Sequence, residues 1–206
     1  AIDDTRGTYG TNLTWVYDQS TKTLTVSGEG PMEDREDGGS PWHLYRDEIE
    51  TVVLDKRITV IGINAFYKCT ALKSINLPNG VTSIGNSAFA NCSSLKQIEI
   101  PKTVKSIGQY VFNASGLTSI TLPEGITDIP RNAFSNCEGL IRVKLPDTAK
   151  KIGDMAFNNC KNIKYFYLPK SVDVIGSWAF KTTRIETVYY SGTTSDQKDC
   201  FTLNSH

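Results

Sequence analysis

The chain has 206 residues, 39% hydrophobic and 21% charged, with 22 basic and 22 acidic side chains and a formal net charge of zero. That length supports one sizeable domain with a substantial core; no apolar run approaches the ~20 residues of a membrane span. The neutral balance leaves no electrostatic footprint for nucleic acid, although residues 1–50 carry 4 basic and 11 acidic side chains (balance −7) and residues 51–206 carry 18 and 11 (balance +7).

In chain order, the start "AIDDTRGTYG" lacks the basic-then-apolar form of a signal peptide, so an export signal is expected to have been removed or never to have existed. Trp15-Val16-Tyr17 and Leu24-Thr25-Val26 flank the turn "DQSTK" and predict a β-hairpin. The stretch "MEDREDGGS" reads as a solvated acidic loop and lacks the D-x-D-x-D-G spacing of a calcium loop. A short helical stretch is expected near Pro41 to Ile49. Trp15 and Trp42 are expected to plug the core of this N-terminal unit, the alternative being a ligand-stacking Trp.

From Thr51-Val52-Val53-Leu54 onward the chain repeats itself. Phe66, Phe89, Phe112, Phe134, Phe157 and Phe180 recur at spacings of 23, 23, 22, 23 and 23. Five residues before each stands an Ile (61, 84, 107, 129, 152, 175), followed by Gly except where Pro130 intervenes. After each Phe come Leu72, Leu95, Leu117, Leu140, Ile163 or Ile185, then Ile75, Ile98, Ile120, Val143, Phe166 or Val188. Two residues further, Leu77, Ile100, Leu122, Leu145 and Leu168 each precede a Pro.

Alternation as in Ser74-Ile75-Asn76-Leu77 predicts a short strand with one buried face, ended by the Pro that follows. The Gly after the second Ile is expected to make a turn with positive φ. Ala88, Phe89 and Cys92 fit one face of a single helical turn, with Asn86 or Ser87 as its cap. Such a unit cannot bury its apolar face alone. Stacking neighbours in parallel at ~4.8 Å makes it do so, predicting an α/β repeat protein: a right-handed solenoid of about seven coils with one continuous parallel sheet. Expected boundaries are 1–48 for a hairpin cap shielding the first coil, 49–190 for the array and 191–206 for a closing tail.

Cys69, Cys92, Cys137 and Cys160 all occupy the F-x-x-C position, filled by Ser115 and Thr183 in the two units with a shorter following bend. Zinc ligands spread over five coils, with the outermost pair ~20 Å apart, do not make a metal site. Neighbouring pairs come within range of a disulfide, yet on one core face small hydrophobic thiols are expected to stay free. Cys200 leaves the count odd.

The L-P…I-G…A-F-x-x-C frame, over about residues 49–190, resembles the BspA-like leucine-rich repeats of bacterial and protist cell surfaces. "NLTWVYDQSTKTLTVSGEGPM" with "PWHLYRDEIETVVL", and "VYYSGTTSDQ", resemble the segments that often flank such arrays. The resemblance implies a leucine-rich-repeat solenoid in a secreted or surface protein used for adhesion or recognition, with no family-wide catalytic set.

The residues agree with a non-enzyme. His43 and His206 are the two histidines, no Gly-rich phosphate loop is present, and no cofactor or metal is expected. Asn12, Asn91 and Asn113 begin N-glycosylation triplets, meaningful in a eukaryotic secretory host. What remains is the outward sheet face, where successive pairs are Thr51/Val53, Ser74/Asn76, Gln97/Glu99, Ser119/Thr121, Arg142/Lys144, Tyr165/Tyr167 and Thr187/Tyr189. The last pairs set three Tyr beside two cations. Arg142, Lys144, Tyr165, Tyr167 and Tyr189 are therefore the candidate ligand-binding residues, for an extracellular protein or glycan, on a chain expected to be a monomer outside the cell. Tyr that merely suit a strand, on a spacer domain without a ligand of its own, are the alternative.

Overall fold

The computed structural model describes residues 5–35 and 39–191. The N-terminal residues form the predicted hairpin, extended by one strand. β1 (Arg6–Tyr9) pairs antiparallel with β2 (Leu13–Asp18), and β2 with β3 (Thr23–Gly28), in a register that sets Trp15 opposite Val26 and Tyr17 opposite Leu24. A two-residue strand β4 (Gly30–Pro31) follows, then one 3-10 turn, His43–Tyr45, within the stretch expected to be helical.

The array begins with β5 (Thr51–Leu54), which pairs parallel with β3, and β6 (Ile58–Ile61), which pairs parallel with β4. The cap is therefore an imperfect coil of the solenoid itself. It hands its own ladder to the first true repeat, so no sheet edge is left open there. Lys22, Glu50 and Lys73, each just ahead of its strand, tie the junction: Glu50 carboxylate oxygens lie 2.9 Å from Lys22 Nζ and 2.5 Å from Lys73 Nζ. These hydrogen bonds, that of Lys73 foremost, hold the Glu50 carboxyl down to about 2.

Each coil contributes to two faces. On the front are β5, β7 (Ser74–Ile75), then β10 (Ser119–Thr121), β12 (Arg142–Lys144), β14 (Tyr165–Leu168) and β16 (Thr187–Tyr190). On the back are β6, β8 (Ser83–Ile84), β9 (Ser106–Ile107), β11 (Asp128–Ile129), β13 (Lys151–Ile152) and β15 (Val174–Ile175). Paired coils are parallel and aligned residue for residue, as in Ile120 with Val143 or Ile152 with Ile175. Six coils are complete and β16 opens a seventh.

Three expectations are corrected. The sheet is not one continuous ribbon. The front ladder skips Gln97–Ile100, whose Ile98 and Ile100 stay buried, and is broken again between β12 and β14. The coils keep register there through bonds in the bends, such as Thr118 N to Lys96 O at 3.0 Å and Asn162 Nδ2 to Glu138 O at 2.7 Å. The front segments need not pair to stay aligned.

The A-F-x-x-C segment is not helical: among the described residues the only helix is the 3-10 turn of the cap. Its N–H groups alternate between two kinds of partner. Ala65, Tyr67 and Cys69 donate three residues back within the coil, while Asn64, Phe66 and Lys68 donate to Asn86, Ala88 and Ala90 of the next coil at 2.9–3.0 Å. Left-handed residues two before and two after each Phe make this course, among them Asn64, Asn91, Asn132, Asn136 and Asn159. A helix would direct these donors along its own axis and leave neighbouring coils unbonded. Asn86 accordingly caps no helix; its Oδ1 accepts from Gln109 N of the next coil at 2.8 Å.

The Gly of Ile-Gly, finally, does not have positive φ. At Gly108 a Cβ would come within 2.3 Å of Asn86 N, and at Gly85 within 2.6 Å of Ile63 N. Glycine is needed there because coils touch backbone to backbone.

The core is a column of rings. Phe66, Phe89, Phe112, Phe134, Phe157 and Phe180 stack face to face with centroids 5.2–5.6 Å apart. Trp42 extends the column by one, 5.7 Å from Phe66, and its Nε1 donates to Ala65 O. Tyr9 and Trp15 meet Trp42 edge-on, while Phe166 closes against Phe180 at the other end. Trp15 and Trp42 are buried, which overturns the alternative of a ligand-stacking Trp in the cap. Burial of one such side chain stabilises by about 1.5–3 kcal/mol.

The four thiols line the same core as free cysteines. Cys92, Cys137 and Cys160 each donate to the carbonyl of the Phe one coil earlier, at 3.0–3.2 Å. Burial pushes the Cys69 thiol up to about 12 and Cys137 to about 11, and raises Cys92 and Cys160 as well. No thiolate forms near neutral pH, so the position serves packing. Cys200 and His206 lie outside the described residues.

Candidate functional site

All outward positions read from the sequence point away from the core on the front face. Parallel pairing of β14 with β16 aligns Tyr165 with Thr187 and Tyr167 with Tyr189. The Tyr167 and Tyr189 rings stack at 4.8 Å, and Tyr165 lies 6.4 Å from Tyr189 across the diagonal. The three remain open to water at 52%, 62% and 47% exposure, respectively for Tyr165, Tyr167 and Tyr189. Because the sheet alternates strictly, Phe166 and Leu168 anchor the strand from below while the Tyr stand above it.

On the adjacent coil, β12 carries Arg142 and Lys144 outward, with Val143 turned into the core. Neither cation forms an ion pair among the described residues. Across β10, β12, β14 and β16 the front face holds an open groove of about 1190 Å³. All five residues predicted from the sequence, Arg142, Lys144, Tyr165, Tyr167 and Tyr189, line it. The outward column of the sequence therefore brings them to one place.

Sequence reasoning missed four others in the groove: Ile141, exposed just before β12, Asp147 beyond the Pro, Tyr190 at the end of β16 and Ser191 just after it. Ile141 occupies a position that is Lys or Thr in several other coils (Lys73, Lys96, Thr118), a departure visible only against the aligned repeats. The groove offers aromatic faces, two donors of positive charge and a rim of Ser and Thr. Among the described residues no group of His, Cys, Asp and Glu could hold a metal ion, and no helix is long and apolar enough to cross a membrane.

The repeat frame also decides kinship. The family model for the BspA type leucine-rich repeat region matches in six copies, over residues 43–140 and 82–206. The chain belongs to that family. Among solved leucine-rich repeat structures, a leucine-rich cell-surface protein of Faecalibacterium prausnitzii is 27% identical, with a TM-score of 0.72, over 92% of this chain and 55% of its own. The T. pallidum leucine-rich repeat protein is 25% identical, with a TM-score of 0.64, over 82% and 85%. A leucine-rich repeat protein of Bacteroides ovatus, 24% identical with a TM-score of 0.66 over 84% and 56%, shares the fold. This chain thus spans little more than half the length of the F. prausnitzii and B. ovatus proteins. No curated protein matches it in sequence.

Proposed function

We propose that this BspA-type solenoid is a non-catalytic recognition module, secreted or held at a cell surface. It acts as a monomer and takes an extended, negatively charged extracellular ligand, protein or glycan, on its front face. Residues 1–48 serve as the cap and 49–190 as the ligand-bearing array; the closing tail expected at 191–206 lies, beyond Ser191, outside the described residues. Support for the location comes from the F. prausnitzii relative, described as a cell-surface protein.

The observation that carries the reading is the convergence of three exposed Tyr and two unpaired cations on one open groove. Tyr rings give rigid amphipathic contact at low entropic cost, and Arg and Lys pair with carboxylate or sulfate groups. An open face suits a long ligand better than a small enclosed one. Single-site affinity is expected to be weak, with strength coming from many copies on one surface.

The test is a binding screen of the purified chain against immobilised extracellular-matrix proteins and a glycan array, followed by oxidative footprinting of the bound state. Ligands enriched in acidic groups, and protection of Tyr165, Tyr167 and Tyr189 in the complex, are expected. Binding with those Tyr equally reactive in free and bound states contradicts the site. No binder at all favours a spacer, for which the mutual stacking of Tyr167 and Tyr189 simply covers the sheet.

A further inference from the structure

We propose a second, independent ligand site on the turn side of the last two coils: a saccharide-binding notch built on Trp178. Trp178 occupies the left-handed position two residues before Phe180, with φ 58°. The equivalent residues are Asn64, Ser87, Tyr110, Asn132 and Met155. Asn adopts this conformation at least cost, because its short polar side chain bonds locally; a bulky side chain there is a backbone outlier. Trp178 is thus the largest side chain at a position that two coils give to Asn, and that Tyr110 and Met155 also hold against the same backbone preference; local cost of this kind is concentrated at functional sites.

Packing does not account for it. Trp178 is 49% exposed, whereas Trp15 and Trp42 are buried. Its ring borders a notch of about 320 Å³ shared with Met155, Asn158, Asn159 and Lys181. Lys181 Nζ stands over one face of the ring, 4.7 Å from its centre, in a cation–π contact, and has no ion pair among the described residues. Asn159 Nδ2 donates to Asn136 Oδ1 at 3.0 Å and Glu138 Oε1 at 3.1 Å, which leaves its carbonyl oxygen to accept. The Asn158 backbone is bonded to Met155 and Asn136, while its side-chain amide faces the notch.

One aromatic plane, an ammonium, a side-chain amide and a fixed carbonyl acceptor match a pyranose. Its C–H face is apolar and each of its hydroxyls both donates and accepts. The notch is too open and too polar for an apolar ligand, and its volume is at the small end for a ligand site, which suits one or two sugar rings.

Trp178 is its own reporter, since it is the exposed one of three tryptophans. Acrylamide quenching of the native chain is measured with the methyl glycosides of glucose, galactose and mannose and with N-acetylglucosamine at millimolar concentration. Saturation transfer from protein to sugar protons is read in parallel. At least one sugar should protect the exposed emission in a saturable way, and should do so equally in the Tyr165→Ala, Tyr167→Ala chain, which separates this site from the front groove. Trp178→Asn should melt at or above the native midpoint, because Asn suits the backbone, and lose the transfer. The proposal is overturned if none of the four sugars protects the native chain, if Trp178→Asn melts lower, or if protection follows protein concentration without sugar. The last result would identify a second copy as the occupant.

Discussion

Phe112 sits in mid-column with rings 5.6 Å and 5.5 Å to either side, so neither neighbour can close over its removal. Phe112→Ala should therefore cost ~3–5 kcal/mol in urea unfolding, and a loss below about 1 kcal/mol would show that the column does not bear on stability. The same burial makes the thiols inert. Native protein carrying Cys200→Ser should react with a thiol reagent only after denaturation, whereas prompt labelling of Cys69, Cys92, Cys137 or Cys160 contradicts the packing described. At this scale much was readable before the fold was known: the Phe, Ile and Leu positions and the outward Arg142, Lys144, Tyr165, Tyr167 and Tyr189 follow from counting along the repeat. Trp178 was not, because the position two before each Phe holds Asn, Ser, Tyr, Asn, Met and Trp in turn and so shows no consensus in residue type.

At the scale of the element, spacing proved ambiguous. Ala88, Phe89 and Cys92 satisfy a helical turn and a chain of tight turns equally, since both return a side chain to the same side after three or four residues. The discriminating sign was Asn at the left-handed positions, as in Asn132 and Asn136 around Phe134. Glycine misled in the opposite sense. Gly108→Ala should lower stability by about 1–3 kcal/mol through collision with the backbone of Asn86, while Gly139→Ala, with 3.5 Å to the nearest atom, should stay within ~0.5 kcal/mol. Equal effects would contradict backbone contact as the reason for Ile-Gly. The junction of cap and array has its own signature. The folded Glu50 carboxyl lies near 2 against an ordinary 4.5, so its contribution is present above about pH 4.5 and is lost as pH falls toward 2. Asp55, held down by Arg57, works in the same direction. Glu50→Gln should flatten acid unfolding over that window; an unchanged slope would mean the Lys22–Glu50–Lys73 chain does not act.

For the whole molecule, six coils of strand and turn predict a far-UV spectrum without helical minima, and the axial stacking predicts a uniform thickness with function confined to differences between coils. Those differences run along the front face: no aromatic from Thr51/Val53 to Ser119/Thr121, then two cations, then Tyr. Attachment to the ligands found in the screen, compared among native chain, Tyr165→Ala/Tyr167→Ala and Ser74→Ala/Asn76→Ala, tests this most directly. All three chains should share one melting midpoint, because every substituted side chain is exposed. The Tyr pair should lose at least tenfold in affinity, about 1.4 kcal/mol, and the Ser/Asn pair should attach like the native chain. Attachment that survives the Tyr changes, or falls equally with the Ser/Asn changes, would contradict recognition through the C-terminal half of the front face.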